Sequence, residues 1–141
     1  MNHRMDEIKD FFEIYRVAAW EKDFAAMIHL YDKGAVVFDT WNRGFIPDAM
    51  AWGKTITQWL TSLGDEKVKV EFEMINIHES GGCGFASALI QYQAISKEGT
   101  VLRSMKNRIT LGFLKSEGEW KVAHHHTSAP IGSDLIAILN I

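Results

Sequence analysis

The chain has 141 residues, the size of one domain, and 47% of them are apolar, including five Trp and eight Phe, enough to fill a sizeable core. Eleven Gly and two Pro leave no sign of a linker, a collagen-type repeat or a disordered tail. A formal net charge of −3 without any block of like charges argues against a nucleic-acid or anionic-membrane partner.

The opening "MNHRMDEIKDFF" has no long apolar run and no small-residue cleavage site, so it reads as mature protein. Nowhere does an uninterrupted apolar stretch approach the ~18 residues of a membrane span. Residues 6–22 read as a helix, because Ile8, Phe11, Phe12, Tyr15 and Ala19 make one apolar stripe with charges opposite. Asp23 looks like the N-cap of a shorter helix through "FAAMIHLYD" that ends near Gly34. The β-branched and aromatic run "AVVFDTW" predicts a strand over about 35–41. A loop, "NRGFIPDAMAWG", follows, and "KTITQWLTSLG" restores helical spacing through Ile56, Trp59, Leu60 and Leu63.

From residue 66 the apolar period changes to two. In "KVKVEFEM", Val68, Val70 and Phe72 share one face and Lys69, Glu71 and Glu73 the other; the phase slips at Met74-Ile75, where a β-bulge is expected. Glycine turns then separate long strands at 83–97, 101–115 and 119–127. Helices first and an antiparallel meander after them make a single α+β domain over residues 1–141. Cys83, the only cysteine, cannot close an internal disulfide; a reducing cytosol suits it, and its expected part is that of a small strand hydrophobe.

Two stretches carry a resemblance. "YRVAAWEKDFAAMIHLYDKGAVVFDT" and "RITLGFLKSEGEWKVAHHHTS" are similar to the opening and the closing hairpin of the nuclear transport factor two-like superfamily, which includes ketosteroid isomerase and the SnoaL-like polyketide cyclases. The order of elements matches along nearly the whole chain. The resemblance implies a cone: a curved antiparallel sheet wrapped on three N-terminal helices around an internal apolar pocket. That fold hosts isomerases, cyclases, dehydratases and non-catalytic association domains, so it leaves function open.

Tyr15 and Asp39 are the leading catalytic candidates. They stand 24 residues apart, which suits the pattern implied by the isomerase resemblance without an insertion, and an apolar pocket would raise the carboxyl toward a useful base while the phenol donates to a developing enolate. Core packing for Tyr15 and turn capping for Asp39 are the competing roles. The isomerase resemblance also implies a second Asp on the strand before the final hairpin. That place falls near Leu111, where no acid stands, and losing such a donor costs about 3–4 kcal/mol of barrier, so steroid isomerisation itself is not expected.

"WKVAHHHTSAP" poses a separate question. Strand alternation from Trp120 and Val122 predicts that His124 and His126 face the pocket beside Asp39 and that His125 faces out; the competing role has one of the pair anchoring a carboxylate or backbone group and the other in a dimer face. The pair would then act as proton donors and give activity a pH limb near 6–7, the ordinary range of histidine. Two imidazoles need a third ligand to hold zinc, and Asp39 or His78 would supply it only if the fold brought them together, so neither metal nor cofactor is expected. Arg108 resembles the arginine that precedes the last hairpin in many SnoaL-like chains and, pointing inward, would pair with Asp39 or clamp a substrate carboxylate, although Ile109, Leu111 and Phe113 set the apolar parity and leave it on the opposite face. Trp41, Trp59 and Leu111 complete the expected substrate-binding set, Trp41 by stacking and Trp59 with a core role as its alternative.

Two functions follow as expectations: a cofactor-free isomerase, cyclase or lyase moving a proton on an apolar carbonyl-bearing or cyclic molecule, or a non-catalytic ligand-binding or oligomerisation domain. "CGFASALIQYQAI" is apolar on both parities, which predicts a homodimer through the outer sheet face.

Overall fold

A computed structural model describes residues 4–42 and 44–141; Met1 to His3, at the head of the expected mature N-terminus, and Arg43, in the expected loop, lie outside the described residues. Three helices, α1 (Asp10–Glu21), α2 (Phe24–His29) and α3 (Ala49–Ser62), precede or interleave with six strands: β1 (Tyr31–Phe38), β2 (Phe45–Ile46), β3 (Lys67–Ser80), β4 (Cys83–Ile95), β5 (Val101–Ser116) and β6 (Glu119–Ser128). Among the described residues they form one sheet in the order β2-β1-β6-β5-β4-β3. Only β1–β6 is parallel, and the rest of the ladder is antiparallel. The architecture is the expected α+β cone. The three helices fill the concave face, where Phe11 and Tyr15 of α1 meet Phe72 and Phe113 in an aromatic cluster. No helix among the described residues is long and apolar enough to cross a membrane.

The helix boundaries differ from the sequence reading in ways that local chemistry explains. Asp23 does cap α2, accepting from the Ala26 N–H at 3.1 Å. The helix stops at His29, however, because Tyr31 is taken into β1 by pairing with Val122 of β6. Helix α3 starts at Ala49, five residues before the expected Lys54. Asp48, just after Pro47, is the N-cap and accepts from the Ala51 N–H at 2.9 Å. Gly53 is no breaker there: its missing side chain lets α3 lie against α2, since a Cβ would stand 3.1 Å from the Ile28 side chain. Both caps and both helices serve to aim β1 and α3 at the same cavity.

Two bulges shape the sheet. The first lies between Glu73 and Asn76, as expected, with Met74 at φ 57°. The second was not anticipated. Phe113 pairs with Val122 and Gly112 with His124, so Ala123 is an extra residue in β6. It reverses the parity of everything after it, and the reversal decides which histidine enters the core.

Candidate functional site

A cavity of about 560 Å³ opens between α3 and the concave sheet face, within the size range of small-molecule sites. Tyr15 reaches it from α1, Trp52, Ile56 and Trp59 from α3, Ile90 and Tyr92 from β4, and Asp39 to Asn42 from the segment after β1. Arg103 to Met105 and Asn107 of β5, Thr127 of β6 and Leu139 of the C-terminal segment complete it. The wall is mostly apolar, so each polar group on it matters.

Asp39 continues the inward parity of Ala35 and Val37 and therefore points into the cavity. Its Oδ1 accepts the Thr40 N–H at 3.0 Å and the Thr127 hydroxyl at 3.4 Å. Partial burial nevertheless raises its pKa above the ordinary 3.8, the hydrogen bonds from Thr40, Thr127 and Trp41 opposing the rise. Facing the same space, the Tyr15 and Tyr92 hydroxyls lie 3.1 Å apart in one hydrogen bond. Burial is the main cause that pushes both phenols up, and the charge of Asp39 adds to it in each case, so all three groups sense one another. Two hydroxyls joined by a single bond leave one O–H to donate elsewhere. A carboxylate base and a neutral phenol pair across an apolar space make a proton-transfer arrangement.

The histidines take the opposite arrangement from the expected one. His125 is buried, with Nδ1 2.8 Å from the Tyr31 hydroxyl and its ring against Trp52. Burial, with His124 and His126 nearby, lowers its pKa to about 3, so it is neutral. It stands behind Trp52 and does not line the cavity. His124 and His126 lie on the outer face, edge-on to the half-exposed Phe38. The extra residue at Ala123 is the physical reason, because alternation from Trp120 holds only as far as Val122. The expected pH limb near 6–7 loses its basis with them.

The other candidates divide. Trp41 stands half-exposed at the cavity mouth and Trp59 lines it edge-on to Tyr92, with ring centroids 5.7 Å apart. Leu111 is fully buried in the core and does not reach the cavity. Arg108 is exposed on the outer face, where Nε donates to the Ser128 hydroxyl at 3.1 Å, as strand parity required and the expected clamp did not. No group of three or more His, Cys, Asp or Glu side chains among the described residues is placed to hold a metal ion. Sequence reasoning missed Tyr92, Asn107 and Thr127. Tyr92 shares the parity of Ile90 and Ala94, and Asn107 that of Ile109 and Leu111, so a polar residue in an apolar register was the available signal; Thr127 was hidden by the bulge.

Comparison with known proteins fits this geometry. The SnoaL-like domain family matches residues 8–132. Among solved structures, an NTF2-like protein of unknown function from Pseudomonas putida superposes with a TM-score of 0.82 at 20% identity, covering 95% of this chain and 92% of that one. A protein from Xanthomonas campestris named for the calcium/calmodulin-dependent protein kinase II association domain gives a TM-score of 0.74 at 17% identity, over 87% and 85% of the two chains. A structure from Catenulispora acidiphila in complex with S-DNPA gives 0.70 at 15% identity, over 86% and 90%. At these identities the structures establish the fold alone. None of the curated proteins compared with the chain matches it. With a match over most of its length, the chain belongs to the SnoaL-like domain family, and its fold is the one seen in structures named as NTF2-like.

Proposed function

We propose that the protein binds an apolar carbonyl-bearing or cyclic molecule in the cavity and moves a proton on it without a cofactor, as an isomerase, cyclase or lyase. The observation that supports this best is Asp39, a carboxyl with a raised pKa that shares an apolar cavity with the Tyr15–Tyr92 hydroxyl pair. In the step, the Asp39 carboxylate takes a proton from the carbon beside the carbonyl. The C–H electron pair becomes the enolate, and its oxygen receives the hydrogen bond from the free phenol O–H. Return of the proton to another carbon gives isomerisation; attack by the enolate carbon on a second carbonyl breaks that C=O π bond, and the resulting alkoxide takes the proton back from the Asp39 carboxyl to give the cyclised alcohol. Trp41 and Trp59 offer faces against which a planar ring stacks. A suitable test uses 2-tetralone in D2O, following deuterium uptake beside the carbonyl by NMR. Wild-type protein should accelerate the exchange and Asp39→Asn should lose it by about 100-fold or more, with fold unchanged. Equal exchange by both proteins would sink the proposal.

A second reading, a non-catalytic binding or association domain, draws on the Xanthomonas campestris likeness and on the sheet's outer face. Phe85 and Leu114 are each 50% exposed there, Phe85 stacked on His78. A homodimer through this face is compatible with either reading. The lone, exposed Cys83 favours a reducing cytosol.

A further inference from the structure

Beyond β6 the chain does not leave the domain. β6 ends at Ser128, opposite Arg108, so the first half of β5 would have an open edge on that side. Residues 129–141 return to cover it. The Lys106 N–H donates to the Leu139 carbonyl at 2.8 Å, the Ile141 N–H donates to the Lys106 carbonyl at 3.1 Å, and Lys106 bridges Asn140 in parallel. Two side-chain amides add to this: Asn107 Nδ2 donates to the Leu139 carbonyl at 3.1 Å, and Asn140 Nδ2 to the Ser104 carbonyl at 3.4 Å. Leu139 thereby becomes part of the cavity wall.

What holds this segment is unusual in kind. Ile131, Leu135 and Ile136 face solvent and Ile138 is only partly covered, so modest apolar burial ties it down. It rests on a few hydrogen bonds and on one side chain in the cavity. Segments with few buried apolar contacts open locally at low free-energy cost, which is where gating elements are found. Asn107, by contrast, is 1% exposed and belongs to the rigid sheet. One of its amide groups therefore connects a fixed wall to a loosely held strap.

We propose that residues 129–141 are a strap gating the cavity, with Leu139 as the closing side chain and Asn107 as its latch, so that they set which molecules enter and how fast they leave. The proposal rests on the reading that the cavity takes a small molecule. Acrylamide quenching of tryptophan fluorescence tests the gate without any ligand, since Trp52 and Trp59 line the cavity. Stopped-flow binding of 2-naphthol then tests exchange. In Leu139→Ala and Asn107→Ala the quenching constant of the cavity tryptophans should rise about twofold, and the 2-naphthol off-rate about fivefold or more. Leu135→Ala, on the same strap but 84% exposed, should match wild type in both. If Asn107→Ala fails to fold, Leu139→Ala carries the test alone, because Leu139 is partly exposed and no core depends on it. Wild-type quenching in Leu139→Ala, or an equal rise in Leu135→Ala, overturns the gate. Raised quenching with no 2-naphthol binding to any variant upholds the gate and counts instead against the small-molecule reading.

Discussion

His125 is the residue whose burial has the clearest consequence. Its ordinary value of 6.5 falls to about 3 in the folded chain, so between those values the unfolded chain binds a proton that the folded one refuses. Stability must therefore fall as the pH falls through that window, by roughly 1.4 kcal/mol per unit. Lowering the pH from about 6.5 to about 5 should remove roughly 2 kcal/mol, measured by urea unfolding, and His125→Gln should flatten that slope. Asp39 acts with the opposite sign. Its folded value is raised above 3.8, so the folded chain binds the extra proton and gains stability as the pH falls through the raised value. At the phenol pair, Tyr15→Phe still leaves Tyr92 an O–H to donate, and the converse holds for Tyr92→Phe. Each single variant should slow 2-tetralone exchange by about tenfold, and the double variant by a further factor of about ten or more, since only it removes the last donor.

At the scale of elements, the close approaches are the sensitive points. A Cβ on Gly84 in β4 would stand 2.6 Å from the His78 carbonyl oxygen and 2.7 Å from Ile8 Cδ1. Gly84→Ala should cost roughly 2 kcal/mol, seen as a fall in Tm of several degrees, because both the β3 backbone and the N-terminal segment would have to move. Asp48→Ala should cost about 1 kcal/mol by exposing the first turn of α3. These elements also mark what could be read from the chain beforehand. The period-two run through Val68, Val70 and Phe72, the slip at Met74 and the three long strands were legible because alternation on a half-buried sheet is a strong signal. The start of α3 was not, since Pro47 and Gly53 look like loop residues unless Asp48 is seen as a cap and Gly53 as a packing surface. Of the candidate site, the places of Asp39 and Tyr15 on the cavity wall were legible. It was not legible in the histidines, where one inserted residue, Ala123, turned a sound parity argument to the opposite face, nor in Leu139, which reaches the cavity only because the tail folds back.

For the molecule as a whole, the cone closes a small apolar space on one side of the sheet and leaves an apolar patch on the other. If that patch is a twofold interface, Phe85→Asp should convert a dimer to a monomer in light scattering at micromolar concentration, while 2-tetralone exchange by the cavity changes little. In the proposed reaction Asp39 moves the proton, and the histidines that drew first notice do not. The pH profile of 2-tetralone exchange tests this most directly, measured for wild type, Asp39→Asn and the His124→Gln, His126→Gln double variant. The expected result is one rising limb set by a carboxyl above 3.8, abolished in Asp39→Asn and untouched in the double histidine variant. A limb in the histidine range that survives Asp39→Asn and disappears with His124 and His126 would contradict the account.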